Sequence, residues 1–228
     1  MSQEQQTSTC KTFSEIYANN TWGGNPGQFY SGKGSNISFC QHYCEFIKNF
    51  ALKIAAANIT IVDLGCGDFR VGQNLLQTLE ASQIKYQYTG VDIVPELVER
   101  NNIDYANTNV KFVCLDMIEQ DLPKGEICLI RQVLQHLSNQ DIKKILDKIP
   151  QYDYTFITES LPDTELDYVP NVDIPTGADI RLKHDSGVFL DKHPFNINNI
   201  ELVLNIPYIE ETLLYGRKTK LCTFKIEK

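Results

Sequence analysis

The sequence has no CxxC pair, no internal repeat and no apolar stretch long enough to span a bilayer. Its cysteines are seven, an odd number: Cys10, Cys40, Cys44, Cys66, Cys114, Cys128 and Cys222. A disulfide scaffold is therefore not expected. Cys114 and Cys128 stand in apolar runs that read as buried strands, which fits reduced thiols filling a core. Basic residues are also few, 21 Lys and Arg against 29 Asp and Glu, for a formal net charge of −8. Proteins that grip nucleic acid neutralise phosphates with a basic face, so no nucleic-acid partner is expected. The opening MSQEQQTSTCK lacks the apolar core of a secretory signal. The expectation is a cytoplasmic protein with no membrane partner. The sequon at Asn58 runs into a core strand, where a glycan would not fit, and those at Asn19 and Asn36 are read with it as chance.

What is present is a core of respectable size: 228 residues, 42% of them hydrophobic. Residues 1–10 read as a loose tail. Residues 20–36, TWGGNPGQFYSGKGSNI, read as an ordered loop dense in turn formers. Cys40, Tyr43, Cys44, Ile47, Ala51 and Ile54 then recur at helical spacing. From Ile59 the pattern changes. Strands are expected at Ile59–Leu64, Tyr86–Val91, Val110–Leu115, Ile127–Ile130 and Tyr154–Thr158, with helices between them. Pro95 suits a first helical turn. Ser138 to Asp141 resembles a capping box, opening a helix that runs to a stop at Pro150. Tyr208–Leu214 and Leu221–Ile226 read as a C-terminal hairpin. This rhythm argues for βαβ units: a doubly wound α/β fold with a seven-stranded, mostly parallel sheet and one late antiparallel strand. Residues 1–58 form the tail, loop and covering helix, and 59–228 the main domain.

Ligands of such sheets bind beyond the carboxyl ends of the strands, near the point where strand order reverses. Three acidic residues stand at such ends: Asp63, Asp92 and Asp116. Between the first two lies Gly65-Cys66-Gly67, where missing side chains permit a sharp turn and a close ligand approach. A dinucleotide fingerprint would need a glycine where Arg70 stands. GQFYSGKG at 27–34 has the spacing of a phosphate loop, but Gly34 replaces the hydroxyl residue that would hold magnesium. The set Val62-Asp-Leu-Gly-Cys-Gly67, Gly90-Val-Asp-Ile93 and Cys114-Leu-Asp-Met117 resembles the S-adenosylmethionine-dependent methyltransferase superfamily of class I, Rossmann-like in fold, over about residues 59–160.

That resemblance implies S-adenosylmethionine as cofactor and S-adenosylhomocysteine as product. Gly65, Cys66 and Gly67 would pack against its methionine part, and Asp63 would fix its amino group. Asp92, beside Ile93, would accept both ribose hydroxyls, and Asp116 would meet the adenine amine with Met117 against the ring. Arg131 and Gln132 open a segment similar to the one following the fourth strand of that superfamily. One departure stands out: the third glycine of the family pattern is Phe69. Trp22, Tyr30, Ser31, Lys33 and Ser35 read either as a lid over the cofactor, with Trp22 and Lys33 reaching it, or as a surface loop.

The acceptor end is less defined. His136 is a candidate base, or else a packing residue. The aperiodic segment 171–195 offers His184 and Asp173 for catalysis, and Asp179, Arg181, Asp191 and His193 for substrate hydroxyls or a phosphate, or is a solvated loop. No ligand spacing demands a metal. Tyr-Ser-Gly-Lys-Gly-Ser at 30–35, Val-Leu-Gln-His-Leu-Ser at 133–138 and Gly-Val-Phe-Leu-Asp-Lys-His-Pro-Phe at 187–195 are similar to methyltransferases of sugar and polysaccharide modification. The expected reaction is therefore O-methylation of a small acceptor, a sugar or nucleotide sugar. The alternatives are a protein or nucleic-acid target, or a non-catalytic binder of the cofactor. A homodimer is compatible with all of these.

Overall fold

The computed structural model describes residues 7–54, 58–162, 168–207 and 219–228. Two helices come first, α1 (Ser8–Ala18) and α2 (Ile37–Ile54). Then follow β1 (Ile59–Leu64), α3 (Arg70–Ala81), β2 (Tyr86–Asp92), α4 (Pro95–Tyr105), β3 (Val110–Cys114), β4 (Ile127–Arg131), α5 (Asn139–Leu146), β5 (Tyr154–Pro162), β6 (Ile200–Pro207) and β7 (Thr219–Glu227). The strands form one sheet in the order β3-β2-β1-β4-β5-β7-β6. The first five pair in parallel. β7 runs antiparallel between β5 and β6. The chain winds outward from β1 to β3 and then returns to β4 on the other side of β1. The reversal of strand order therefore lies between β1 and β4.

Both faces of the parallel part are covered, so its strands are apolar almost throughout. Alternate residues supply the two cores. Ile127 and Leu129 pack with α2 and α3, among them Ile47, Leu75 and Leu79. Cys128 and Ile130 pack with α5, among them Ile142 and Ile145. Each such side chain, taken from water, contributes about 1.5–3 kcal/mol. α5 is capped as its sequence foretells: Ser138 Oγ accepts the Asp141 N–H at 3.1 Å and donates to the Asp141 carboxylate at 2.9 Å. Among the described residues, no helix is long and apolar enough to cross a membrane.

Three local expectations need correction. Ser8 to Cys10, expected as tail, instead open α1, with the Thr7 hydroxyl accepting the Cys10 N–H, and Cys10, Ile16 and Tyr17 are buried. Cys114 is exposed rather than core-filling: it ends β3, the edge strand of the sheet. The described partner of β7 is Ile200–Pro207, which carries a register irregularity at Leu202/Leu204 that blurs its alternation. The expected strand at Tyr208–Leu214 lies outside the described residues.

Candidate active site

The sheet brings Asp63, Asp92 and Asp116 to one cavity at the carboxyl ends of β1, β2 and β3. All three side chains are buried. Asp63 accepts the Tyr88 hydroxyl at 2.5 Å. Burial pushes its carboxyl up to about 6, while Tyr88 and the Arg131 charge pull the other way. Asp92 accepts the Gly67 N–H at 3.0 Å and the Val94 N–H at 3.2 Å. Its carboxyl is also raised by burial, and these amides oppose the rise. Asp116 accepts the Ile118 N–H at 2.9 Å on one oxygen and the Thr7 hydroxyl at 2.9 Å on the other.

The turn between them depends on its glycines. Gly65 and Gly67 have φ of 77° and 56°, in the left-handed region. A Cβ at Gly65 would lie 2.4 Å from Val133, and one at Gly67 would lie 2.4 Å from the Ser31 hydroxyl. The Gly65 and Cys66 amides donate to the Val91 carbonyl, fastening the turn to β2. Phe69 also takes a left-handed conformation, φ 65°, as it leads into α3. Its ring lies 4.8 Å from Phe112, 5.0 Å from Tyr105 and 5.4 Å from Tyr88, centroid to centroid. The residue that departs from the glycine pattern is thus a core aromatic held in a backbone shape that favours glycine.

The N-terminal segment covers this turn. The Ser31 N–H donates to Asp68 Oδ2 at 3.0 Å, and the Asp68 N–H donates back to Ser31 Oγ at 2.8 Å. Tyr17 shares a 2.8 Å hydrogen bond with the same hydroxyl. Trp22, Ser31 and Ser35 line the cavity together with Thr9, Phe13 and Tyr17 of α1. Trp22 packs edge-on against Tyr17 at 5.4 Å and tilts over His136 at 4.9 Å.

His136 ends a 3-10 turn, Leu134–His136, in the loop after β4. Its Nδ1 lies 3.1 Å from the Asp179 carbonyl. A carbonyl only accepts, so Nδ1 carries the proton and Nε2 is the accepting nitrogen of the ring. Burial lowers its pKa to about 4, which keeps the imidazole neutral at physiological pH. Gln132, at the head of this loop, has a left-handed φ of 56° and donates to Ser160 Oγ at 2.9 Å. Arg131 donates to the Gly34 carbonyl at 2.8 Å and lies over the Tyr43 ring.

Of the residues singled out in the sequence, Trp22, Asp63, Gly65, Cys66, Gly67, Asp92, Ile93, Asp116, Met117, Arg131, Gln132 and His136 line this one cavity. The rest do not. Lys33 is exposed. Arg181 is buried with every N–H engaged: on the carbonyls of Val172, Leu134, Gln135 and Leu137 and on the Asn139 side chain. No donor remains for a substrate. Asp173 is exposed and accepts the Asn139 N–H at the start of α5. Lys183 is ion-paired to Asp179, whose other oxygen lies 3.2 Å from His184 Nε2, and Asp191 is ion-paired to Lys192. His193 is exposed and its carbonyl accepts from Asn171. Sequence reading missed Phe13 and Tyr17, whose spacing with Cys10 and Ile16 is the apolar stripe of α1.

The sheet order, with a glycine turn between carboxylate-bearing strand tips, is the Rossmann-like α/β fold of class I S-adenosylmethionine-dependent methyltransferases. Residues 61–152 match the family described as a methyltransferase domain. No curated protein matches. Among solved structures, the chain is similar to magnesium protoporphyrin IX methyltransferase from Synechocystis with bound S-adenosylhomocysteine, at 14% identity and TM-score 0.52, covering 97% of this chain and 96% of that one. It is also similar to a methyltransferase of Leishmania major, at 15% identity and TM-score 0.54, covering 95% and 82%. The [4+2]-cyclase SpnF shares the fold at 14% identity and TM-score 0.56, covering 97% of each chain.

Proposed function

We propose that the chain methylates a small acceptor at oxygen, with the hydroxyl of a sugar or nucleotide sugar as the first candidate. In this reading Asp92 accepts the ribose hydroxyls, one carboxylate oxygen for each donor. Asp63 holds the amino group of the cofactor, and Asp116 the adenine amine. The bends at Gly65 and Gly67 let the backbone approach the methionine part closely. When bound, S-adenosylmethionine supplies an electrophilic methyl group.

The observation that carries the acceptor class is the wall of Trp22 against His136, on the same cavity as the three carboxylates. Phe13, Tyr17 and Trp22 offer aromatic faces, and the one imidazole there is neutral. The C–H face of a sugar ring packs on such a wall without stranding a charge. With its Nδ1 proton committed to Asp179, His136 accepts only at Nε2, where the Gln135 amide lies at 3.5 Å and an acceptor hydroxyl would compete with it. It orients that hydroxyl and takes its proton as the oxygen attacks.

The test is transfer of labelled methyl from S-adenosylmethionine to UDP-glucose, GDP-mannose, a free hexose and catechol, with chromatographic readout. Label in a sugar arm is expected. His136→Ala is expected to slow it at least about 10²-fold, the usual contribution of general base catalysis. S-adenosylhomocysteine affinity, read by calorimetry, should stay within a few-fold. Label confined to catechol would replace the sugar by a phenol. A protein that binds neither form of the cofactor would end the reading.

A further inference from the structure

Two buried ionisable side chains, Glu159 and Arg181, bond the loop after β4 without themselves lining the cavity. Glu159 lies on β5, 1% exposed, and Arg181 opens the short turn Arg181–His184, also 1% exposed. Glu159 Oε1 accepts the Leu134 N–H at 2.8 Å, and the amides of Val133 and Gln135 face the same carboxyl. Arg181 works from the opposite sense: its guanidinium donates to the carbonyls of Leu134 at 3.1 Å, Gln135 at 3.4 Å and Leu137 at 2.7 Å. A carboxyl thus gathers the N–H groups of the loop after β4, and a guanidinium gathers its carbonyls.

We propose that Glu159 and Arg181 are positioning residues, a two-sided clamp that fixes the loop Gln132–Leu137 and with it the place of His136 in the cavity. The inference rests on the proposed role of His136. Burying a carboxyl and a guanidinium is expensive and a plain peg of apolar side chains would hold a loop as well, so a polar clamp is chosen for direction rather than strength. The direction matters here. Leu134 receives both partners, one on its N–H and one on its carbonyl, so the peptide planes on either side of it cannot rotate freely. His136 is two residues on, its carbonyl taking the Gly177 N–H at 2.9 Å and its Nδ1 meeting Asp179. Segment 177–181 is thus tied to the loop by His136 and by Arg181 alike. The charged groups that face the imidazole are Asp179 and Arg181. Glu159→Gln keeps an oxygen for the Leu134 amide, whereas Glu159→Leu removes it. Arg181→Lys keeps the charge but cannot reach several carbonyls at once.

The test reads His136 itself. In histidine-labelled protein, the His136 resonance (assigned by its loss in His136→Asn) is titrated by NMR from pH 4 to 8, with and without S-adenosylhomocysteine. Trp22 is the only tryptophan and packs on His136, so its fluorescence reports the same contact. In wild type and Glu159→Gln, His136 is expected to stay neutral down to about pH 4. In Glu159→Leu and Arg181→Lys its titration should move up by a unit or more toward the free-imidazole value, with Trp22 emission altered to match. Should Glu159→Leu not fold, Arg181→Lys carries the comparison. An unchanged His136 titration and Trp22 emission in the folded variants would overturn the clamp. Because this readout exists without ligand, failure to bind S-adenosylhomocysteine would defeat the functional reading while leaving the clamp to be judged separately.

Discussion

Phe69 separates packing from backbone strain in one position. Its ring sits among Tyr88, Tyr105 and Phe112, and a Cβ on Gly72 would fall 2.6 Å from it, so that glycine makes the space it fills. Removing a buried phenylalanine ring costs about 3–5 kcal/mol. The left-handed φ of 65° costs a non-glycine residue about 1–2 kcal/mol, a strain that alanine retains and glycine escapes. Phe69→Ala should therefore lose about 3–5 kcal/mol. Phe69→Gly should lose about 1 kcal/mol less, because part of its relief is returned as chain entropy. For a chain of this size that difference is about 2–4 °C in Tm. Urea unfolding followed by far-UV circular dichroism measures both, and midpoints are comparable as long as the slope is unchanged. If Phe69→Ala is as stable as Phe69→Gly, the left-handed assignment is wrong. If both match wild type, the ring is not packed.

Asp92→Ala should weaken S-adenosylhomocysteine binding by roughly 10²–10⁴-fold, two hydrogen bonds to a charged group at about 1.5–3 kcal/mol each, with Asp92→Asn intermediate by calorimetry. Burial pushes the Glu159 carboxyl up to about 8. Its contribution to stability is then full below the unfolded value near 4.5 and lost as pH rises through 8. The Tm of Glu159→Gln should accordingly gain on wild type from pH 5 to 8.5; a constant gap would contradict the buried, raised carboxyl. His136 has the opposite sign: lowered to about 4, it contributes fully above about 6.5 and loses that contribution as pH falls toward 4. The Tm advantage of wild type over His136→Asn should therefore shrink between pH 6.5 and 4.

The parallel sheet was legible because its signals are local. Ile59–Leu64 is a β-branched run and Ile127–Ile130 a short apolar one, both the length of a strand covered on two faces, and each ends at a polar residue or a glycine turn. The carboxylates of Asp63, Asp92 and Asp116 could be assigned to one cleft because strand ends in a doubly wound sheet converge by topology. The segment after β5 was not legible for a physical reason. Asp173, Asp179, Arg181, His184 and Asp191 look alike as polar loop residues, but their functions depend on which way each side chain turns. Arg181 turns inward and spends itself on backbone carbonyls, while Asp179 presents its carbonyl, not its carboxylate, to His136. No spacing rule distinguishes these cases. α1 was missed at its start because its polar first turn, Thr7-Ser-Thr, reads as tail until the Thr7 cap is seen.

One sheet serves proteins whose names span porphyrin methylation and a [4+2] cyclisation, so the strand tips do not decide what is done beside them. In this chain the two halves of the cavity have different origins. Asp63, Asp92 and Asp116 come from the regular sheet, which fixes them by hydrogen-bond register. Phe13, Tyr17, Trp22 and His136 come from α1 and from loops, held by side-chain contacts such as the Ser31–Asp68 pair and the Arg181 bonds. A change in those loops can alter the acceptor wall without disturbing a strand. The parts that choose the acceptor are for the same reason the ones whose geometry depends on distant partners: Trp22 on Ala178, His136 on Asp179, and the loop after β4 on Glu159. On the proposed reading, acceptor choice follows from the contacts between the N-terminal segment and the segment after β5, such as Trp22 on Ala178.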